Sequence, residues 1–164
     1  DRRRIELVEP GVAPAPIHHD GAHLDDDELA GLLAEVGASV RRCAATAYDE
    51  IELSLGAPIV SLSVRAWDPD FPRDLATLRR VPYEARADSV MYRRILVDGA
   101  RSRDIDVHLF DAKTVEHLAI QACGASDDAF LRAPRADLGP PWSADHRVAF
   151  AAAILAAGAG AGAS

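Results

Sequence analysis

Seven arginines, Arg65, Arg73, Arg79, Arg80, Arg86, Arg93 and Arg94, fall within thirty residues of one another, around the turn Asp68-Pro69-Asp70-Phe71-Pro72. Guanidinium forks match the planar oxygens of phosphate and carboxylate, so the chemistry this stretch suggests is capture of an anion. Arg79, Arg80, Arg86 and Arg93, with the hydroxyl of Tyr83, form the expected ligand-binding set. Glu84, Asp88 and Asp98 are interspersed, and Arg94 and Asp98 stand at helix-pair spacing, so the same residues also spell a solvated, ion-paired face. Asp68 and Asp70 flank Pro69: paired carboxylates at a strand end can hold a divalent cation or serve as acid and base, and aspartate before proline equally builds a turn. His18, His19 and His23, with Asp20, are the right types for a transition metal. They lie in a Pro/Gly-containing segment that does not force them to converge, and surface histidines without a metal are expected there. No P-loop, zinc-ligand spacing, dinucleotide fingerprint or nucleophile–base motif accompanies these groups.

The elements that must position them follow from pattern. Asp25 to Glu28 place acidic residues at a helix start, favoured by the positive end of the macrodipole, and Leu29, Leu32, Leu33, Val36, Val40, Cys43, Ala47 and Ile51 continue one face. A helix over 25–55 is expected, stopped by Gly56, with Gly37 a point where it could break and leave 39–44 as a strand. Ile5 to Val8 reads as a short strand and residues 12–23 as a loop. The stretch 57–66 reads as a central strand buried on both faces, with a second strand over 105–110. Helices are expected at 73–80, 84–102, 112–123 with Asp111 as N-cap, and 143–157 after a Ser143 cap. The loop 125–142 is long enough to need an anchor, and Trp142 is the candidate. The core is expected to include Ile59, Leu62, Val64, Met91, Ile95, Val107, Leu109, Leu118 and Leu155. Alternating strands and helices make the fold class α/β: a single domain over 1–157, its small mixed or parallel sheet flanked by helices, then a flexible Gly/Ala tail over 158–164.

Composition bounds what remains. A 164-residue chain that is 49% hydrophobic and 27% charged can bury a substantial core, which argues against wholesale disorder. The formal charge of −8 argues against broad nucleic-acid binding. Cys43 and Cys123 are far apart and form no CxxC pair, so no disulfide framework is indicated and a cytoplasmic setting is expected. The uncharged run from Val148 to Ala163 is too short and too rich in Ala and Gly for a membrane span.

The order strand 57–66, helix, strand 105–110, helix, then DHRVAFAAAI at 145–154 resembles the latter half of ribonuclease H-like nucleases of the Holliday-junction resolvase type. The likeness covers about residues 50–156. Such proteins end on a helix whose first turn carries an acidic metal ligand followed by small apolar residues; Asp145, Ala149 and Ala151 to Ala153 match that pattern. The resemblance implies an α/β fold and a metal-dependent nuclease or phosphodiesterase, with Asp145 matching the family's acidic ligand; such an enzyme would use Asp68 and Asp70 with it to hold a divalent cation. The family's first-strand aspartate has no counterpart other than Glu6 or Glu9, which fits a non-catalytic relative. The leading expectation is therefore a non-catalytic or regulatory domain that binds a small phosphate- or carboxylate-bearing ligand or a protein partner, with its oligomeric state open. The metal-dependent enzyme is the alternative.

Overall fold

The computed structural model of the chain describes residues 3–12 and 17–161. Its elements in order are α1 (Ile17–Asp20), a 3-10 turn (Gly21–His23), α2 (Asp26–Leu55), β1 (Ser61–Arg65), α3 (Leu75–Leu78), α4 (Glu84–Arg101), β2 (Asp106–Phe110), α5 (Val115–Ala122), α6 (Ala129–Arg132), α7 (Pro134–Leu138) and α8 (Ala144–Ala161). The α/β class is as expected. The chain divides into two compact units: a helical unit of Ile5–Ile59 and Trp67–Arg103, and a sheet unit built on Val60–Ala66 and the chain from Asp104 onward.

In the helical unit, α2 has both ends written in its sequence. The Asp25 carboxylate accepts the Glu28 N–H at 2.8 Å, and the Glu28 carboxylate accepts the Asp25 N–H at 3.1 Å, a reciprocal capping box. Gly56 closes the helix at φ 64°, a left-handed conformation that suits glycine, and gives its N–H to the Glu52 carbonyl. The helix runs unbroken through Gly37, so 39–44 is helix and not strand. Gly37 is buried, and a Cβ there would make only ordinary contact with the Arg41 guanidinium and Ile95. Ile17, Leu29, Val36 and Val40 form the buried core, with Met91, Tyr92 and Ile95 of α4 packed on it. One turn beyond Ile95 on the same face of α4, Gly99 lets the Tyr48 ring approach to 3.4 Å of where a Cβ would stand, and the Tyr48 hydroxyl donates to the Leu96 carbonyl.

Two expectations fail at the start of this unit. Residues Ile5 to Val8 form no strand: Leu7 and Val8 lie on the core, and the Glu9 N–H donates to the Ser39 hydroxyl at 2.8 Å instead of to a ladder. The segment expected as a loop over 12–23 is helical from Ile17 to His23, because Ile17 and His18 are both buried; residues 13–16 lie outside the described residues.

The sheet unit pairs β1 and β2 in parallel, from Ser61 opposite Asp106 to Arg65 opposite Phe110. With two strands in the sheet among the described residues, β1 has one neighbour and is not a central strand. It is also shorter than 57–66: Pro58 has no N–H to give a ladder, and the Ile59 N–H goes to the Glu52 carboxylate. Val64 is the one buried residue of β1, while Val60 is 73% exposed. The core lies beside the sheet, where Val115, Ala119, Leu131, Ala151 and Ala152 are buried between α5, α6 and α8. Small residues at 151 and 152 bring α8 close enough for the Ser63 hydroxyl to donate to the Ala152 carbonyl. Leu109 and Leu118, expected in the core, are 49% and 45% exposed, at the mouth of a concavity they share with Ala152 and Leu155 of α8.

The segment 125–142 is folded into α6 and α7, and Trp142 anchors its end. The indole N–H donates to the Leu131 carbonyl at 2.8 Å, and the ring meets His146 in a stack and Phe150 edge-on. Helix α5 starts at Val115 after Thr114; Asp111 is not its N-cap, since its carboxylate accepts the Lys113 N–H within the preceding turn. Helix α8 continues to Ala161, past Gly158 where the tail was expected, and residues 162–164 lie outside the described residues. Among the described residues no helix is long and apolar enough to cross a membrane.

Candidate anion-binding site

A cavity of about 300 Å³ opens in the helical unit between α2, α4 and the turn at Phe71. Leu33, Met91 and Ile95 give it an apolar wall, and its charged lining is Arg41, Arg73 and Arg94, joined by His18. The helix periods explain the placement. Arg41 lies one turn beyond Gly37 on α2, and Arg94 lies three residues beyond Met91 on α4, so each cation borders an apolar stripe.

Arg94 is the best fixed of the three. Its guanidinium donates to the carbonyls of Phe71 at 2.9 Å and Pro72 at 3.4 Å, and its Nε is buried with no partner among the described residues. It does not pair with Asp98, as the spacing had suggested. The pKa of Arg94 is lowered from the ordinary arginine value, first by burial and then by the like charge of Arg73, with Asp98 opposing. Arg41 and Arg73 make no ion pair among the described residues. The lining thus gathers three guanidiniums without a carboxylate.

His18 enters from α1. Its Nδ1 lies 2.7 Å from the Asp88 carboxylate on α4, with both side chains buried, so the ring donates from Nδ1 and its far edge is turned away from Asp88. The opposite nitrogen, Nε2, is buried without a partner among the described residues. His18 is therefore no surface residue. It separates from His19, which is exposed and bonded to Asp20, and from His23, which is exposed. Among the described residues no group of three or more His, Cys, Asp or Glu is placed to hold a metal ion.

The arginines and tyrosine expected from sequence do not line this cavity. Arg79 pairs with Asp26 and donates to the Leu24 carbonyl, tying α3 to the start of α2. Arg80 is exposed. Tyr83 meets Phe71 edge-on at 5.7 Å, Arg86 lies over the Phe71 ring at 5.5 Å, and Arg93 folds back on Ser89 of its own helix. Phe71 joins the two groups, since Arg94 faces the same ring at 6.0 Å. Asp68 and Asp70 are exposed, and the Asp68 carboxylate accepts the Asp70 N–H as a turn builder does. Asp145 is exposed in the first turn of α8, where the Ser143 N–H and hydroxyl both meet His146 Nδ1.

Away from the cavity, two carboxylates at the surface of the helical unit are held charged by their hydrogen bonds. Glu9 has its pKa lowered by hydrogen bonds from Arg42, and Asp74, the N-cap of α3, by bonds from Thr77. Depressed values mean that this stabilisation is complete above the unfolded carboxylate range and is lost as pH falls through and below it. Thermal unfolding followed from about pH 6 to about pH 3 should show a falling midpoint, and Glu9→Gln with Asp74→Asn should make the fall shallower. An unchanged slope in that variant would remove the explanation.

Comparison of the chain with protein families, with curated proteins and with solved structures gives no match.

Proposed function

We propose that the protein is a binding module for a small phosphate- or carboxylate-bearing ligand, seated in the cavity of the helical unit. The observation that carries this reading is the convergence of Arg41, Arg73 and Arg94 on one concavity without a lining carboxylate, in a chain whose net charge is −8. Bringing like charges together costs energy, and an anion between them offsets that cost with charge-assisted hydrogen bonds. Arg94, held by two carbonyls, presents a pre-oriented fork, while Arg41 and Arg73 are exposed enough to close on a ligand. The module is read as non-catalytic: it supplies capture and orientation of an anion.

Millimolar phosphate or benzoate should raise the thermal midpoint of the full chain, because a ligand of the native state stabilises it by mass action. Arg73→Ala removes an exposed cation with little structural role and should lower the affinity about tenfold, the loss of one charge-assisted contact. Arg86→Ala, which removes a cation outside the cavity, should leave the affinity within about twofold. Equal losses in both variants would return the site to the arginines of the outer α4 face.

A further inference from the structure

We infer that the ligand of this cavity is a hydroxyl-bearing organic acid with a compact apolar body, and that His18 is the residue that selects it. The inference rests on the proposed anion site and adds to it the second polar feature of the cavity. Three observations define the ligand. The cationic end, Arg73 and Arg94, sets where its anionic group lies. The wall of Leu33, Met91 and Ile95 calls for an apolar body, and a volume of about 300 Å³ is at the small end for ligand sites, which suits a single ring or a short chain and not a nucleotide.

His18 supplies the third. A side chain buried to this degree normally satisfies its polar atoms, yet Nε2 has no partner among the described residues, while Asp88 holds the ring rigidly from Nδ1. His18 lines the cavity and Asp88 does not, and Nε2 is closed off from solvent, so a ligand in the cavity meets Nε2 once the lining shifts. A ligand hydroxyl, donor and acceptor at once, satisfies Nε2 with or without a proton on it. Met91, unbranched and flexible, is the lining residue able to give way for that contact. A ligand without the hydroxyl would leave a buried nitrogen unpaired, and sites built in this way reject such analogues strongly.

The test compares benzoate, 3-hydroxybenzoate, 4-hydroxybenzoate and inorganic phosphate by calorimetry on the full chain, with the His18 ring resonances followed by NMR in the same titrations. At least one hydroxybenzoate should bind more than tenfold tighter than benzoate and shift the His18 resonances, and benzoate should leave them in place. In the double variant His18→Phe with Asp88→Leu, which removes the hydrogen-bonding edge and its support together, the two acids should bind alike. If that variant does not fold, the resonances of the unaltered protein still decide the question. Benzoate and both hydroxybenzoates binding equally, with His18 unmoved, would overturn the role of His18 while leaving the anion site standing. No binding by any of the four would overturn the anion site itself.

Discussion

Replacing His18 by phenylalanine alone should destabilise the protein by about 3–5 kcal/mol, the cost of leaving a buried charged partner alone. The Asp88 carboxylate is the partner left behind: its side chain is 10% exposed, so water cannot take over the bond that Nδ1 gave. Adding Asp88→Leu should recover most of the loss, because two well-packed apolar groups often equal or exceed a buried polar pair. Urea unfolding of the two single variants and the double variant forms a thermodynamic cycle, and a coupling near zero would mean that the pair is not a unit. Recovery of stability has a functional meaning. A pair that apolar residues can replace without loss is not needed for stability, which is the result the proposed ligand role of His18 requires.

Leu131→Ala should have the largest effect in the sheet unit, about 2–5 kcal/mol. Leu131 is fully buried among Val115, Ala119, Ala151 and Ala152. The cost depends on how far the larger side chains packed on this cluster, Phe130, Phe150 and Ile154 among them, can move into the space left behind. The backbone carbonyl of the same residue accepts the Trp142 N–H, so a shift there also loosens the anchor of 125–142. Acrylamide quenching of tryptophan fluorescence should therefore rise in Leu131→Ala. A variant as stable and as well protected as the parent would contradict this account of the core.

Features written in local sequence were legible. The acidic start and Gly56 stop of α2, the span of α4, the two strands and the anchoring of Trp142 each depend on residues close together in the chain. The α/β class followed from their alternation. What was not legible depended on pairing across distance. Nothing in residues 57–66 tells how many strands lie beside them, so a run rich in β-branched residues reads as central although it has one neighbour among the described residues. His18 stood in a polar cluster that looks like surface, and its partner is 70 residues away. A signal for that partner was present: Asp88 repeats at helical spacing with Met91 and Ile95, an acid on the stripe that faces the core. Arg94 borders the same stripe, and stripe position is what separates it from Arg86 and Arg93 of the same helix.

The interleaving of the two units sets the order in which they can be completed on the ribosome. The helical unit has all of its chain once Arg103 has emerged, whereas β1 of the sheet unit must wait for β2, which begins at Asp106, and for α5 and α8 beyond it. Until then β1 is an unpaired strand with every N–H and C=O of its ladder free, tethered on both sides to segments of a unit that can already fold. Chains made from one end tend to fold in that sequence, and unpaired strands are the points at which they associate wrongly. Two polar residues in β1, Ser61 and Ser63, and the charge of Arg65 lower its attraction for other strands over that interval.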